Sequence, residues 1–534
     1  MADEEPQQLT GGQKCGLFAK LYWRGIILVV APLVFLPVLF INPDDQLVSQ
    51  VNSFDTNRTT MCYFKETNVM FIGGLILALA IEFCNLHNRI ALKVISIVGC
   101  SQPRLNLGLM SVTMFVSMWI SNTAATAMMC PIIVAILEEL ERQGIGQFYT
   151  DKKVDEEAAE DSDEPPNPSR TSVCYFMGAA YASSIGGLGS LIGTGTNLTF
   201  KGIYESRFPA APGIDFPRWT FYNVPPMLAA TFLTYLYLQI VFAGMFRPKS
   251  QDAKASNVGP AGEEAAKEVI AKRYQDLGPI RSHEIFVAIL FILSILLYFS
   301  RSPGFFPGWA DVIAPKTSIK DATPAIFIVI ALFMIPAVWS FFKFCRGGEK
   351  LPKKPSTGLI TWGFVHTHTP WSLVFLLGGG FALAEGSSSS GMSELLGNAL
   401  SGLKSLPPLA ILFIVLLSIQ FLTEFTSNVA IANITLPVLA EMAVVIRIHP
   451  LYLMMPAAIT ASYAFHLPVG TPPNALVAGY ANIRTKEMSI AGIGPTIITL
   501  LLIWITFPTY GLVIYPEMSK FPPWATKKGN STSF

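Results

Sequence analysis

The feature of this chain that most restricts its fold is a pair of apolar stretches, each broken near its middle by the same polar residues. "SMWISNTAATAMMCPI" at 117–132 carries Ser121, Asn122 and Thr123, and "TEFTSNVAIANITLPVL" at 423–439 carries Ser427 and Asn428. A proline follows each asparagine nine residues later, Pro131 and Pro437. Upstream of each copy lies a Gly-Gly segment, "FIGGLILALAIE" at 71–82 and "LLGGGFALAEG" at 376–386. Downstream lies a Gly-Thr-X-X-Asn turn, with Gly193, Thr194 and Asn197 in one copy and Gly470, Thr471 and Asn474 in the other. The spacing from Ser-Asn to turn is 75 residues in the first copy and 46 in the second; the difference of 29 is the length of the polar insert 142–170. Without that insert the copies superimpose.

The surroundings of these segments place them in a bilayer. Of the 534 residues, 51% are hydrophobic and only 14% charged, against roughly 25% in soluble domains. Apolar windows near the length of a spanning helix lie at 25–41, 67–84, 226–246, 284–300, 322–342 and 489–516. Interrupted ones lie near 105–137, 171–200, 371–385, 407–445 and 450–480. The expected class is an all-α polytopic membrane protein. A formal net charge of +1 argues against nucleic acid, which needs clustered Lys and Arg. The seven cysteines have neither metal-ligand nor disulfide-framework spacing and read as small buried hydrophobes.

Basic residues assign the sides, because they accumulate on the cytoplasmic face. Lys14, Lys20 and Arg24 precede the first span, Arg89, Lys93 and Arg104 follow the second, and the connections 247–283 and 343–354 hold seven and five basic residues. All fall inside if the N-terminus is inside. The sequons at Asn57 and Asn530 then fall outside, where glycans are added, and the C-terminus is extracellular. The division expected is a cytoplasmic N-terminus (1–24), a first span and extracellular segment (25–66), a first repeat (67–246), a cytoplasmic linker (247–283), a second repeat (284–516) and an extracellular tail (517–534). The polar stretches 142–170 and 247–283 read as solvated linkers.

Duplicated, interrupted apolar segments mark a secondary transporter with a midplane binding site. By the charge pattern the first Ser-Asn segment enters from the cytoplasmic side and the second from outside. Two inverted repeats are expected, each with a re-entrant hairpin (about 105–137 and 407–445) and a broken helix. Irregular backbone at that depth is tolerated only where it is buried in protein or lines a watery cavity. Neither tip nor either turn contains Lys or Arg, so an anion there is held by hydroxyls, amides and N–H groups at half-helix N-termini. Unwound carbonyls and Ser, Thr or Asn oxygens nearby suit sodium, whose charge offsets that of a divalent anion.

"MWISNTAATAMMCPI", "GTGTNL", "TEFTSNVAIANITLPVL", "GTPPNAL" and "NLHNRIALKVISIVGC" together resemble the divalent anion/sodium symporter family, the animal carriers of succinate, citrate and sulfate, and especially its insect INDY-like members. The resemblance covers about residues 60–520. It implies an elevator-type carrier of the plasma membrane, a homodimer, with no cofactor beyond sodium as coupling ion. It places Ser121, Asn122, Thr123, Ser427, Asn428, Thr196 and Pro472 on a di- or tricarboxylate substrate. It places one sodium near Ser121, Asn122, Gly193, Thr194 and Asn197, and another near Thr426, Asn428, Gly470, Thr471 and Asn474. Two departures stand out. Val429 replaces the third-position Thr found in many relatives. Where the family carries two helices before the first Gly-Gly segment, this chain has the polar "NPDDQLVSQVNSFDTNRTTMCYFKETN", so it resembles a form lacking that pair, expected to keep the binding constellation and to put dimerisation and transport to the test.

Other readings compete. A sulfate carrier or a sodium-independent exchanger fits the same cavity, and the shorter form fits a non-transporting partner of a full-length relative. A hydrolase built on Ser121 or Ser427 with His466 has no further group to complete it. Glu82, Glu385 and Glu424 lie in or beside spans, where carboxylates are costly, and Glu424, three residues before Ser427, is the one placed to tune a cation site. His366 and His368 read as capping or packing groups, the run Ser387–Ser390 as a helix break, and Gly378, Gly379 and Gly380 as points of close helix packing.

Overall fold

The computed structural model describes residues 62–99, 101–143, 149–150, 167–247, 249, 259–302, 307–313, 319–338, 357–390 and 405–526. The apolar window 25–41 and both sequons, Asn57 and Asn530, lie outside these residues.

Nearly everything described is helix. The first half contains α1 (Glu66–Phe83), α2 (Leu86–Val98), α3 (Gln102–Ser117), α4 (Asn122–Arg142), α5 (Arg170–Gly186), α6 (Gly195–Arg207) and α7 (Phe216–Val241). Then come α8 (Gly259–Asp276), α9 (Ser282–Phe299), α10 (Trp309–Ile313), α11 (Ala322–Met334), α12 (Trp362–His368) and α13 (Trp371–Ser389). The chain continues with α14 (Pro408–Leu422), α15 (Asn428–Ile446), α16 (Pro450–Thr460), α17 (Pro472–Ala481), α18 (Thr485–Thr506) and α19 (Tyr510–Ile514). Among the described residues six helices, α1, α4, α7, α9, α15 and α18, are long and apolar enough to cross a bilayer. The apolar window at 322–342 yields only the 13 residues of α11, since Pro336 lacks the N–H a helix there needs. The serine run is not an internal break: α13 extends through Ser389 before ending.

The polar inserts are more ordered at their edges than composition suggests. Tyr149–Thr150 pairs antiparallel with Asn167–Pro168, closing the base of the first. The second, read from sequence as linker, contains the 18-residue helix α8, whose Ala265, Ala266 and Ile270 are buried where α8 packs on α2 and α4. Arg89 of α2 clamps its end, bonding Glu284 Oε2 at 2.5 Å and the carbonyl oxygens of Gly278 and Leu277 at 3.1 and 3.3 Å.

The main core lies among α3 to α7 and α14 to α18, and a second cluster joins α1 to α9 and α11 through Ile76, Leu79, Leu290, Ile328 and Leu332. Glycines permit the close approaches expected of them: Gly378 lies on the ring of Tyr63, and Gly380 on the amide of Asn433. The buried cysteines Cys62, Cys84, Cys130 and Cys174 are free thiols.

Candidate functional site

Each polar interruption is a tip between two helices. At the first, α3 ends at Ser117 and the chain turns through 118–120. Ser121 then caps α4, its Oγ accepting the N–H of Ala124 at 3.2 Å. Ser117 Oγ donates to Asn122 Oδ1 at 2.8 Å, with the Ser183 carbonyl at 2.7 Å as the alternative acceptor of its one proton. At the second tip Thr423 repeats this part. Its hydroxyl proton goes to the Ala461 carbonyl at 2.7 Å, so toward Asn428 the oxygen must accept, and the Asn428 amide nitrogen donates to it at 2.9 Å while reaching Ala461 O and Gly470 O at 3.3 Å. A hydroxyl five residues before the asparagine thus anchors it in both copies.

The Gly-Thr-X-X-Asn turns also match. Asn197 Nδ2 donates to the carbonyls of Gly187 (3.1 Å) and Ser190 (2.9 Å), and Asn474 Nδ2 to those of Ala464 (3.1 Å) and Leu467 (3.1 Å). Each amide thereby folds the unwound segment behind α5 or α16 into a loop of carbonyl oxygens. Thr194 and Thr471 are the extended N-cap residues of α6 and α17.

Tertiary packing crosses the copies. The turn helix of the first, α6, packs on the tip helix of the second, α15, and α17 of the second packs on α4 of the first. A Cβ at Gly195 would lie 2.9 Å from Val429 Cγ2, and Thr196 Oγ1 bonds Ser462 Oγ at 2.5 Å. The site residues expected from sequence are therefore brought into one region, with unequal access. Thr123, Thr426, Ser427 and Pro472 are exposed, Ser121, Asn122 and Asn428 are partly exposed, and Thr196, Asn197 and Asn474 are buried. In this conformation Thr196 is spent on joining the copies.

Glu424 and His466 were singled out from sequence but their partners were not, and the Lys201 network was missed altogether. The Glu424 carboxylate, 6% exposed, accepts the N–H groups of Phe465 (2.7 Å), His466 (2.9 Å) and Leu467 (3.3 Å). It shapes the second carbonyl loop by holding its backbone. His466 bridges Ser489 O (3.0 Å) and Thr496 Oγ1 (2.9 Å) and bonds neither Ser121 nor Ser427. Lys201 of α6, four residues past Asn197, is buried against Asp321 (3.0 Å), Glu205 (3.1 Å) and the Ile214 carbonyl (2.9 Å), and Arg301 bonds Asp321 at 2.6 Å. The only signal of this network in the sequence was a lysine inside an apolar stretch.

The donor set is oxygen throughout. Near the first tip Gly193 lies against the carbonyls of Gly187 and Met118; near the second, Gly470 lies 3.1 Å (as a Cβ would) from Glu424 O. Asn197 Oδ1 and Asn474 Oδ1 are both buried without a hydrogen-bond partner. A buried acceptor left unpaired costs about 1–3 kcal/mol, and its recurrence at equivalent positions fits a bound cation better than a packing fault. α4, α15, α6 and α17 all begin at these tips and turns, so the positive ends of four helix dipoles gather there.

Comparisons with known proteins establish the family of the chain. The family model described as sodium:sulfate symporter transmembrane region matches residues 17–515. Protein I'm not dead yet of Drosophila melanogaster is 51% identical over 557 aligned positions, covering 98% of this chain and 94% of the relative. Solute carrier family 13 member 2 of Oryctolagus cuniculus is 37% identical, covering 96% and 90%. The Na(+)/citrate cotransporter of Rattus norvegicus is 35% identical, covering 95% and 91%. With a family model spanning most of its length and relatives at this identity along nearly all of it, the chain belongs to the family of the sodium:sulfate symporter transmembrane region.

Proposed function

We propose that this protein is a secondary transporter, not an enzyme, that carries dicarboxylates or citrate across the plasma membrane in company with sodium. The relatives named as dicarboxylate and citrate cotransporters support the substrate class, and the family supports sodium as the coupling ion. The observation that carries the reading is the pair of matching oxygen-lined loops, each with a buried, unpartnered asparagine Oδ1.

In this reading the copies are inverted repeats and their tips re-entrant hairpins meeting midway. Ser121, Asn122 and Gly193, Thr194 and Asn197 hold one sodium; Thr426, Asn428, Gly470, Thr471 and Asn474 hold the other. When bound, sodium supplies positive charge where no Lys or Arg side chain lies in the tips. Ser121, Asn122 and Thr123 from one tip and Ser427 and Asn428 from the other hold the carboxylates, helped by four helix N-termini. Thr196 and Pro472 border the same site. The N-terminus is cytoplasmic, the C-terminus extracellular, Asn57 and Asn530 carry glycans, and the unit is a homodimer working by an elevator movement.

A second reading has its own support. The Drosophila alignment runs to 557 positions, more than the 534 residues here, so the relative has residues that this chain lacks. That fits a shortened form that pairs with a full-length carrier without transporting. Uptake of radiolabelled succinate and citrate, with and without sodium, separates the readings when run beside an Asn122→Ala control, labelled sulfate and a surface-labelling check. Sodium-dependent uptake lost in the control establishes the transporter. Absence of uptake despite surface expression overturns it in favour of the shortened form.

A further inference from the structure

A cavity of about 750 Å3 lies between α2, α4 and the linker helix α8, and no part of the transport reading uses it. One end is apolar, formed by Leu92 of α2 and Met128, Pro131 and Ile132 of α4. The other is charged: α4 turns from apolar to ionic at Glu138, and Lys272, Arg273 and Asp276 of α8 share its lining. The distance along α4 from Met128 to Glu138 is ten residues, about 15 Å at 1.5 Å per residue. That is the polarity gradient of an amphiphile, not of a small polar solute.

The charges select the headgroup. Glu139 is occupied by Arg142 at 2.8 Å and Gln143 at 2.9 Å. Glu138 and Asp276 against Lys272 and Arg273 then leave two acids and two bases on the lining. An anionic headgroup meets repulsion from the acids, and a cationic one from the bases. α4 is itself a candidate span whose charged last turn marks an interface with water, so lipid is at hand.

We propose that this cavity binds a zwitterionic phospholipid, its phosphate on Lys272 and Arg273, its ammonium on Glu138 and Asp276, and an acyl chain along Leu92, Met128, Pro131 and Ile132. The lipid ties the linker helix to the helix that carries Asn122 at its other end. This stands independently of which anion is transported.

The test uses the full chain in nanodiscs doped with phosphatidylcholine bearing a photoreactive group in its acyl chain, with the labelled peptides located by mass spectrometry. Label is expected on 128–135 of α4. Lys272→Gln with Arg273→Gln is expected to lower it about thirtyfold, two charges on the scale of lipid contacts to Lys and Arg. Ala135→Trp, which fills the cavity, is expected to lower it at least as far, and the pair of substitutions at exposed Lys272 and half-buried Arg273 keeps the test decisive if the tryptophan disturbs folding. Label on α4 that neither change reduces overturns the proposal. So does stronger labelling by the phosphatidylglycerol analogue, which would make the site one for anionic lipid.

Discussion

The two tips do the same thing by different means. Both anchor an asparagine through a hydroxyl five residues earlier, and both fold an unwound segment around a turn asparagine. Yet the first segment is made compact by having no side chains in the way. Gly187 lies directly on the Asn122 amide and Gly193 on the Gly187 carbonyl, and Ser190 Oγ donates to the Met118 carbonyl. The second has Ala464 where the first has Gly187, ten residues before the asparagine in each case, and is held by the Glu424 carboxylate on three N–H groups. The place of Glu424, four residues before Asn428, is taken in the first copy by Met118. A duplicated geometry has therefore been kept while its support has diverged, steric on one side and electrostatic on the other.

That difference sets an order of sensitivities. The largest effect is expected from Glu424→Ala, which strands three N–H groups at about 1–3 kcal/mol each. The purified protein should lose several degrees of thermal stability and all sodium-dependent uptake. A Glu424→Ala protein of unchanged melting temperature would show that the carboxylate does not hold the loop. Next comes Gly187→Ala. Its methyl collides with Asn122, so uptake should fall at least about tenfold, a barrier or binding change of about 1.4 kcal/mol, whereas Ala464→Gly, which only removes a methyl, should stay within about threefold. Equal losses from both would erase the contrast.

Asn197→Ala and Asn474→Ala test what remains alike. Each removes a carbonyl-loop brace and an unpaired oxygen, and each is expected to raise the sodium concentration for half-maximal uptake about tenfold. A change in substrate affinity with no change in sodium dependence would count against both cation sites. The smallest effect concerns the caps. Ser121 accepts the Ala124 N–H, while Ser427 makes no capping bond, so Ser121→Ala should cost about 1 kcal/mol of stability and Ser427→Ala under about 0.5 kcal/mol. Reversal of that order in unfolding measurements would mean the tips rearrange.

Much of the site was legible because it is local. Helix starts at Asn122 and Asn428, the turn asparagines and the glycine contacts follow from short-range chemistry that a repeated motif displays openly. Helix α8 was hidden, because "GPAGEEAAKEVIAKRYQD" has the composition of a solvated linker and only a narrow stripe of Ala265, Ala266 and Ile270 finds cover. The Lys201 network was hidden because its fully buried carboxylate, Asp321, lies 120 residues away.

By itself the sequence determined a helical membrane protein with two matching polar breaks, since apolar length, helix caps and glycine turns are properties of neighbouring residues. Only the tertiary structure decided that α6 rests on α15 and α17 on α4, that Thr196 is consumed in joining the copies, and that Glu424 grips backbone. Those are choices of partner between segments separated by 41 to 266 residues and more, fixed by which surfaces bury well together and which buried polar atoms find a mate.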